Sequence, residues 1–423
     1  MFKKLLSIAL AMIMTVSTVT NVLASESVFS ARSSTEYAFC IGTDYRGGLD
    51  GQIDTSNDAI YAADCFEIAG YKSYYNTSPT VSYITGNSTN GKKRLENAVV
   101  FLSGHGDQTS MQFNWEQRGG QYATGIRSGT SGESNGYTYL GVGDCDMSDT
   151  KLFILAGCET AMGMYNITRD IVDAGAEAAI GWMTTVMQGS HTNWLERFCD
   201  KLAVGYTVKE AKNYADSYIY IDSKDKNGYI YGNTSTVITS SSSTYALNYS
   251  NRQTSVSDDR EIQLDNNINA ISELTEGSLE DKIVSALSIN GIDINIQDFK
   301  IVQTGSIIDL IYLVNGAETE CGYTIFTDGG EVTDIYNNMN SYNQVSTFSL
   351  RDDNQEVEVT DDMKQEYFNC SAEKLNVDYI VIEQSGKVIY DTDSNTYYYC
   401  VITDYQVNSS GAYGSVGDYY EIN

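Results

Sequence analysis

Short apolar runs alternate with helical stripes along the first half of the chain. Most of these runs are almost wholly apolar and predict strands buried on both faces, and one weaker run predicts a further strand. The predicted strands lie at residues 36–43, 80–84, 98–103, 151–156 and 178–186. Apolar residues spaced by three and four predict helices at about residues 54–70, 167–174, 192–204 and 208–219. The alternation predicts an α/β fold whose mostly parallel sheet is sandwiched by helices.

The character of the sequence changes twice further along. Residues 108–150 are rich in Gly, Ser and Thr, and they predict a long surface excursion of the kind that more often serves a site than packing. Residues 220–259 become rich in Ser, Thr and Asn, as linkers are. We therefore predict a first domain over residues 36–220 and a polar linker over residues 221–260.

Residues 261–423 predict a smaller α+β accessory domain. One amphipathic helix, Leu279 to Leu287, is followed by three strands with alternating apolar positions. These strands are predicted at residues 298–304, 307–314 and 322–336. Residues 361–407 follow a similar order more loosely, so two subdomains are an alternative to one.

The N-terminus predicts export. Lys3 and Lys4 precede a mostly apolar run, and small residues before Ser25 suit a signal peptidase. Residues 1–24 are therefore predicted to be a signal peptide, and residues 25–35 a short lead segment. Polar residues interrupt the apolar run well before the length of about 18 residues that a membrane anchor needs. We expect a secreted protein without membrane contact after signal cleavage.

The charge of the chain excludes one class of partner. The sequence holds 56 acidic and 26 basic residues, a formal net charge of −30, and residues 261–423 alone hold 29 acidic and 6 basic residues. Such a field repels phosphate backbones and anionic membrane surfaces. General nucleic-acid binding is therefore excluded.

The cysteine count leaves the redox chemistry open. Eight cysteines could form four disulfides in an exported protein. The sequence contains no CxxC pair, so a zinc-ribbon cluster is not expected. If one cysteine is a nucleophile, seven remain, and at least one further thiol must be free. We expect that thiol to be buried.

Two predicted strands end next to residues that can do covalent chemistry. His105 follows the strand at 98–103, and Cys158 follows the strand at 151–156 directly after a glycine. Neighbouring parallel strands would bring both residues to one edge of the sheet, where α/β folds bind ligands. A thiolate is a strong nucleophile, and an adjacent imidazole can take its proton and deliver it to a leaving amine. The N–H groups of Gly106 and Cys158 would then stabilise the oxyanion of an acyl-enzyme reaction.

A purely structural interpretation competes with this one. Cys158 could be a buried core thiol and His105 a hydrogen-bonded loop residue. That interpretation suits each residue taken singly, whereas the pair at two strand ends favours a catalytic dyad.

Both motifs resemble those of a known group of enzymes. The sequences VVFLSGHGD at 99–107 and LFILAGCETAMG at 152–163 resemble the His-Gly and Ala/Gly-Cys signatures of clan CD cysteine peptidases. The Cys-Glu-Thr-Ala run and a later helical segment are most similar to CHAT domains, with gingipain, clostripain and legumain as relatives. The resemblance covers about residues 36–220 and implies a caspase–haemoglobinase fold. It also implies endopeptidase activity with His105 and Cys158 as the dyad.

The resemblance does not extend to substrate preference. Clostripain-like enzymes carry an acidic residue two positions before the cysteine, where this chain has Ala156. The resemblance implies a pocket wall at Trp182 and Met183, with ordinary core packing as the alternative. Glu159 could line the primary pocket or face solvent.

Asp44 is a further candidate site residue, whereas His191 is not. Asp44 ends the first predicted strand and could orient His105, although an Asp at a strand end is more often a turn residue. His191 begins a predicted helix that Ser190 would cap, and we expect it to be non-catalytic.

Metal binding has one weak candidate. Residues 223–230 place oxygen-bearing side chains and a glycine as a calcium loop would, but they lack the acidic residues of its first and twelfth positions. A Lys-Asn-Gly hairpin turn is the simpler interpretation. We expect no metal site and no required cofactor, and calcium binding stays open.

The sequence therefore predicts a secreted cysteine endopeptidase, a hydrolase acting on protein or peptide substrates. One alternative is a non-catalytic binding protein with the same fold. Another is a transpeptidase that uses the same dyad. The acidic accessory module could shield the cleft until the linker is cleaved.

Overall fold

The computed structural model describes residues 36–45, 53–113, 123–134, 136–239, 260–262, 264, 278–329, 331–339, 357, 359–375, 379–392, 394–408 and 411–422. The chain divides into two compact units, residues 1–36 and 37–423, and the following description concerns the second. The predicted signal peptide and lead segment, residues 1–24 and 25–35, lie outside the described residues.

Six strands form a first sheet, called sheet A. They are β1 (Tyr37–Ile41), β2 (Lys72–Asn76), β3 (Val99–Ser103), β9 (Leu152–Ala156), β10 (Ala178–Trp182) and β11 (Gly228–Gly232). Their order is β11-β10-β9-β3-β1-β2, and every neighbouring pair is parallel except β10 with β11. Because both faces of the central strands are covered, these strands are almost continuously apolar.

Helices cover both faces of sheet A. They are α1 (Ser56–Ile68), α2 (Val81–Thr85), α3 (Ile167–Asp173), α4 (Ser190–Ala203) and α5 (Val208–Asp216). Successive side chains of a strand point to opposite faces, so Cys40 packs with α1 and α4, whereas Phe39 packs on the face that α3 covers. Trp194 and Phe198 of α4 are fully buried in the first of these cores. Burial of each apolar side chain stabilises the folded protein by about 1.5–3 kcal/mol.

Thirteen strands of the described residues form a second sheet, called sheet B. The first five are β4 (His105–Asp107), β5 (Ser110–Phe113), β6 (Ala123–Arg127), β7 (Gly132–Ser134) and β8 (Tyr137–Gly141). The remainder are β12 (Glu261–Ile262), β13 (Phe299–Thr304), β14 (Ile307–Val314), β15 (Ala317–Asp328), β16 (Glu331–Asn337), β17 (Tyr379–Asp391), β18 (Thr396–Val407) and β19 (Tyr413–Glu421).

Sheet B continues from one half of the chain into the other. Its main path runs β12-β16-β15-β17-β18-β19-β4-β5-β6-β8-β7, and the hairpin of β13 with β14 joins it at β15. The junction between the halves is the antiparallel pairing of β19 with β4, where Tyr413 lies opposite Gly106. The last strand of the chain is therefore placed beside the residues that follow β3.

In the described part of the C-terminal region, two helices pack on sheet B. They are α6 (Leu279–Ile289) and α7 (Asp361–Lys374). Ser278 caps α6 in a capping box with Asp281, and the helix buries Ile283 and Leu287 against β14 to β16. This region combines helices with strands that pair antiparallel, except for β15 with β17, which pair parallel.

Most predicted elements of sheet A are confirmed. The structure is a mixed α/β protein whose sheet A is mostly parallel, and the predicted strands at 36–43, 98–103 and 151–156 correspond to β1, β3 and β9. The strand predicted at 178–186 ends earlier, at Trp182. Helix α5 begins with a capping box formed by Thr207 and Glu210.

Three predictions about local structure are wrong. Residues 81–84 belong to helix α2, because the hydroxyl of the N-cap residue Thr80 accepts a hydrogen bond from the Tyr83 N–H (3.2 Å) and starts a helix instead of a strand. The strand predicted at 322–336 is two strands, β15 and β16. The described residues between 108 and 150 are not a surface excursion, because strands β5, β6 and β8 bury apolar side chains against sheet A.

The predicted linker is partly sheet, since β11 lies within it. Beside β11, the Lys226 ammonium is buried against the Asp309 carboxylate of β14 at 2.7 Å. Lys387 of β17 donates to the Ile221 carbonyl at 2.5 Å. These contacts join residues of the predicted linker to strands of the C-terminal half, and the linker boundaries stay predictions.

Several described cysteines are free and buried, in agreement with the expectation of at least one further such thiol. Cys40, Cys65 and Cys199 are free and buried around α1 and α4, whereas Cys370 of α7 is half-buried. Within the described ranges, no helix is both long enough and apolar enough to cross a bilayer.

Candidate active site

His105 stands where the chain leaves sheet A and enters sheet B. Gly104, which follows β3, donates its N–H to the Ala156 carbonyl at 3.1 Å and so keeps the chain beside β9. A Cβ atom on Gly104 would lie 2.6 Å from the Tyr45 hydroxyl oxygen, so a side chain does not fit there. His105 is 2 % exposed, and its N–H donates to that hydroxyl at 3.1 Å.

Two aromatic rings hold the His105 imidazole. The Tyr45 ring centroid lies 4.4 Å from that of His105, and the Tyr405 ring meets the imidazole edge-on at 5.9 Å. Tyr405 belongs to β18, so the C-terminal half of the chain contributes to the position of this histidine.

Cys158 occupies the corresponding place after β9. It is buried, and its Sγ accepts a hydrogen bond from the Val186 N–H at 3.4 Å. The backbone of Gly106 lies directly against it, since a Cβ on Gly106 would be 2.8 Å from the Cys158 carbonyl oxygen and 3.3 Å from its nitrogen. The strand ends therefore bring the two motifs together, as their parallel arrangement predicts.

His105 and Cys158 border one small cavity of about 30 Å³. Its walls come from α1, α4, the ends of β3 and β9, the segment after β10, and β19. The lining residues are Ile53, Thr55, Asp58, Ser103, Gly104, His105, Ala156, Cys158, Val186, Gln188, His191, Thr192, Gly414 and Ser415. A space of this size holds a water molecule but no substrate side chain.

The Cys158 thiol is protonated in this arrangement at neutral pH. Burial is the main cause that raises its pKa to about 12; the Val186 N–H lowers this pKa, and the nearby carboxylates of Asp404, Glu159 and Asp225 add to the rise. Asp404 belongs to β18 and is held by the Lys224 ammonium at 2.9 Å. Formation of a thiolate therefore requires either a nearby proton acceptor or a more open cavity.

Glu159 has an unusual backbone conformation directly after the cysteine. Its φ of +58° lies in the left-handed region, which costs about 1–3 kcal/mol for a residue other than glycine. Its N–H donates to the Thr184 carbonyl at 3.0 Å, and this bond fixes the turn that carries Cys158. The side chain is half-buried, and burial first, then Asp107 and Asp404, raise its pKa. Its predicted pocket role stays a prediction.

Trp182 and Met183 lie outside the residues that line the cavity. Trp182 is fully buried, donates its indole N–H to the Asp225 carbonyl at 2.8 Å, and packs edge-on against His191 and Trp194. This is the core packing that was the alternative interpretation for Trp182. Met183 is partly exposed. A role for either in a substrate pocket stays a prediction.

Asp44 is exposed, pairs with Asp54 in an isolated antiparallel bridge, and is not among the lining residues. A different carboxylate, Asp58 of α1, lines the cavity. It accepts hydrogen bonds from Ser103 Oγ (2.7 Å) and Thr192 Oγ1 (2.8 Å), and burial raises its pKa to about 6. The sequence does not distinguish Asp58 from an ordinary acidic residue in the first turn of a helix.

The second histidine borders the same cavity. His191 is buried, its Nε2 has no hydrogen-bond partner among the described residues, and burial lowers its pKa to about 3. Ser190 is the first residue of α4, and Gly189 takes the N-cap position, so the predicted Ser190 cap is wrong. The expectation that His191 is non-catalytic stays a prediction.

Gly414 and Ser415 of β19 complete the cavity. The sequence contains no signal for this contact, because it depends on a strand about 250 residues away from Cys158 pairing with β4. These two residues are the part of the site that sequence reasoning missed most completely.

The candidate calcium loop adopts another structure. Residues Ser223–Lys226 form a 3-10 helix whose cap is Asp222, which accepts a hydrogen bond from the Lys224 N–H at 3.0 Å. The predicted Lys-Asn-Gly hairpin is wrong, because no strand precedes β11 directly. In the part of the chain that the structure describes, no group of three or more His, Cys, Asp or Glu residues is arranged to hold a metal ion.

Comparisons with family models and with curated proteins assign the chain to no family. No protein-family model matches the chain. No curated protein matches it either.

Proposed function

We propose that this protein is a cysteine endopeptidase that cleaves peptide bonds through Cys158 and His105. One observation carries the proposal: a thiol and an imidazole at the carboxyl ends of two adjacent parallel strands border the same cavity. That edge of an α/β sheet is where ligands bind. The resemblance of both motifs to clan CD peptidases supports the same assignment.

The proposed reaction uses the two side chains in sequence. His105 takes the proton of the Cys158 thiol, and the sulfur attacks the carbonyl carbon of the scissile bond. The tetrahedral intermediate collapses, the C–N bond breaks, and His105 gives its proton to the leaving amine. Water then attacks the thioester with His105 as the base, which releases the acid product and restores the thiol.

Backbone N–H groups would stabilise the oxyanion. The close approach of Gly106 to the Cys158 backbone supports Gly106 and Cys158 as these donors, because it leaves no room for a side chain between them. Each donor of this kind contributes about 2.7–4 kcal/mol in known enzymes. Water-excluding walls strengthen the interaction.

Protein or peptide substrates and export remain part of the proposal. The protein substrate follows from the proposed reaction. Export rests on the sequence of residues 1–24 alone. The net charge of −30 supports a partner other than nucleic acid.

A second candidate is a binding protein with the same architecture and no catalysis. The raised pKa of the Cys158 thiol, to about 12, and the cavity of about 30 Å³ favour it, because neither suits a nucleophile open to substrate. A transpeptidase with the same dyad would differ only in the acceptor of the acyl group. Analysis of products for ligated against hydrolysed peptides separates it from a peptidase.

The test combines thiol labelling with peptide hydrolysis. Purified protein is treated with iodoacetamide near neutral pH, and the adducts are located by mass spectrometry in the wild type and in the Cys158→Ala and His105→Ala variants. The half-buried Cys370 serves as the internal reference for labelling. The same three proteins are incubated with a mixed peptide library.

The proposal expects hydrolysis by the wild type and a loss of at least about a hundredfold in both variants. It also expects that Cys158 labelling falls when His105 is replaced, while Cys370 labelling stays the same. Peptide hydrolysis that survives in Cys158→Ala would overturn the assignment of the nucleophile. Absence of hydrolysis in the wild type and in forms with an opened cavity would favour the binding protein.

A further inference from the structure

The first residues of β19 lie between two segments that flank the candidate dyad. On one side, Tyr413 pairs antiparallel with Gly106 of β4. On the other, Ser415 forms a parallel bridge with Met187, and the Gln188 N–H donates to the Ser415 carbonyl at 3.4 Å. An extended segment held by backbone pairing in this way is bound as peptide ligands are when they add a strand to a sheet.

The side chains of this segment match the narrow space beside the dyad. Gly414 and Ser415 both line the cavity that Cys158 and His105 border. A Cβ on Gly414 would lie 2.9 Å from His105 Cε1 and 2.5 Å from the ring carbon Cζ of Tyr405, so the position accepts glycine alone without a shift. Ser415 is 2 % exposed, and its hydroxyl has no hydrogen-bond partner among the described residues.

The strand is held from its outer side as well. β19 pairs with β18 from Tyr413 opposite Gln406 to Glu421 opposite Tyr398. Gly417 lies against the Met187 side chain, since a Cβ there would be 2.6 Å from its sulfur. The segment 413–415 is therefore one end of a long hairpin and not an isolated tail.

We propose that Tyr413–Ser415 occupy the peptide-binding cleft as an internal substrate mimic, and that the cleft takes extended chains with small residues where Gly414 and Ser415 now lie. The inference rests on the proposed peptidase function of the same site. It explains why the cavity beside Cys158 holds only about 30 Å³. Access of a substrate requires that the start of β19 moves away from β4 and Met187.

One test replaces Gly414 by alanine. The added methyl group clashes with His105 and Tyr405 and should push the strand out of the cleft. Gly386→Ala is the matched control, because its Cβ would lie 2.5 Å from the ring carbon Cζ of Tyr399, a tyrosine of β18 that does not line the cavity. The measurement is the rate of Cys158 alkylation by iodoacetamide relative to Cys370.

The Gly414→Ala variant should label Cys158 about tenfold faster than the wild type, and Gly386→Ala should not, because the two methyl groups overpack to a similar degree. Equal labelling of the two variants and the wild type, in proteins with the same thermal transition, would overturn the proposal.

A second test keeps every side chain of the cleft. A recognition site for a specific protease is inserted between Asn408 and Gly411, in the connection between β18 and β19, and the folded full chain is cut there. The control carries the same insertion between Thr392 and Asn395, which connects β17 to β18. Both proteins are tested with the hexapeptide AYGSVG, the sequence of residues 412–417, and with AYLSVG.

Cutting the first connection should raise Cys158 labelling about tenfold or more, since the strand then dissociates as a separate chain, and cutting the second should not. The cut protein should bind or cleave AYGSVG in preference to AYLSVG. Equal use of the two peptides would overturn the preference for small residues.

The two proposals fail in different ways. Faster Cys158 labelling without hydrolysis of any peptide would overturn the peptidase function and leave β19 as the cover of the cavity. Hydrolysis by the uncut wild type at the rate of the cut protein would overturn the internal mimic and leave the peptidase function standing.

Discussion

Ser103 lies opposite Ala156 in the parallel pairing of β3 with β9. His105 comes two residues after the first, and Cys158 comes two residues after the second. One strand pairing therefore brings the imidazole and the thiol to the same edge of sheet A. The separation of 53 residues between them along the chain includes strands β4 to β8 of sheet B, the first of which starts at His105, and strand β9 of sheet A.

The contact between Gly106 and Cys158 predicts that a methyl group at residue 106 destabilises the fold and slows the proposed reaction. In Gly106→Ala the new Cβ would lie 2.8 Å from the Cys158 carbonyl oxygen and from Thr160 Cγ2, so the strand end must shift. We expect a loss of about 1–3 kcal/mol in the free energy of unfolding and a fall in kcat of at least about tenfold.

The control for this prediction is Gly228→Ala. The nearest atoms to its Cβ would be 3.5 Å away, which is ordinary contact, so stability and kcat should stay at wild-type values. Urea unfolding and peptide hydrolysis measure the two quantities. A wild-type kcat in Gly106→Ala would contradict the close approach of the two motifs.

Asp58 predicts that stability falls as the pH rises through the mildly acidic range. Burial raises the pKa of this carboxyl from 3.8 to about 6, so between these values the folded protein binds a proton that the unfolded chain has released. The protonated Asp58 therefore contributes to the free energy of unfolding below pH 4, and this contribution of about 3 kcal/mol is lost as the pH passes 6.

Asp58→Asn removes this titration while it keeps one oxygen to accept a hydrogen bond from Ser103 or Thr192. The stability of the wild type minus that of the variant should fall between pH 4 and pH 6 in urea titrations. A difference that is constant over this range would show that the Asp58 carboxyl has its ordinary pKa.

His191 predicts a dependence of the opposite sign. Burial lowers its pKa from 6.5 to about 3, so the unfolded chain binds a proton that the folded protein does not. The contribution of the neutral His191 to the free energy of unfolding is fully present above pH 6.5. It is lost as the pH falls towards 3, and at pH 4 the loss is about 3 kcal/mol. His191→Gln should therefore lose less stability than the wild type on acidification, as measured by urea unfolding at a series of pH values. Parallel loss in both proteins would contradict this.

The buried pair of Lys226 and Asp309 predicts strong coupling between the predicted linker and β14. The two side chains are 0 % and 3 % exposed. Burial lowers the pKa of the Lys226 ammonium below its usual range, although the charge of Asp309 and its hydrogen bond raise that pKa. Lys226→Met leaves a buried carboxylate without its cation and should cost about 3–5 kcal/mol. Adding Asp309→Leu should restore much of this loss.

An exposed pair provides the comparison. Lys92 and Asp149 are 42 % and 68 % exposed, so Lys92→Met should change the free energy of unfolding by only about 0–1 kcal/mol. Thermal and urea unfolding of the single and double variants give the coupling energy. Equal costs for the buried and the exposed pair would refute the coupling.

Local pattern predicts the strands that carry the dyad. The runs that contain Val99 and Leu152 are apolar at every position, and this is sufficient for strands covered on both faces. The same pattern misleads where the hydrogen bonds of a cap decide, as at Thr80, whose hydroxyl starts a helix. It also misses β5, β6 and β8, where single apolar residues among polar residues and Gly carry the packing.

By itself, the sequence determines strands β1, β3, β9 and β10 of sheet A, the position of His105 and Cys158 at strand ends, and the strong acidity of the C-terminal half, but not strands β2 and β11. Only the tertiary structure decides that Asp58, His191, Gly414 and Ser415 border the same cavity. The reason is physical: strand and helix formation depends on neighbours in the chain, whereas the walls of a cavity depend on which distant backbones pair. Nothing within β19 or β4 alone specifies that these two strands meet.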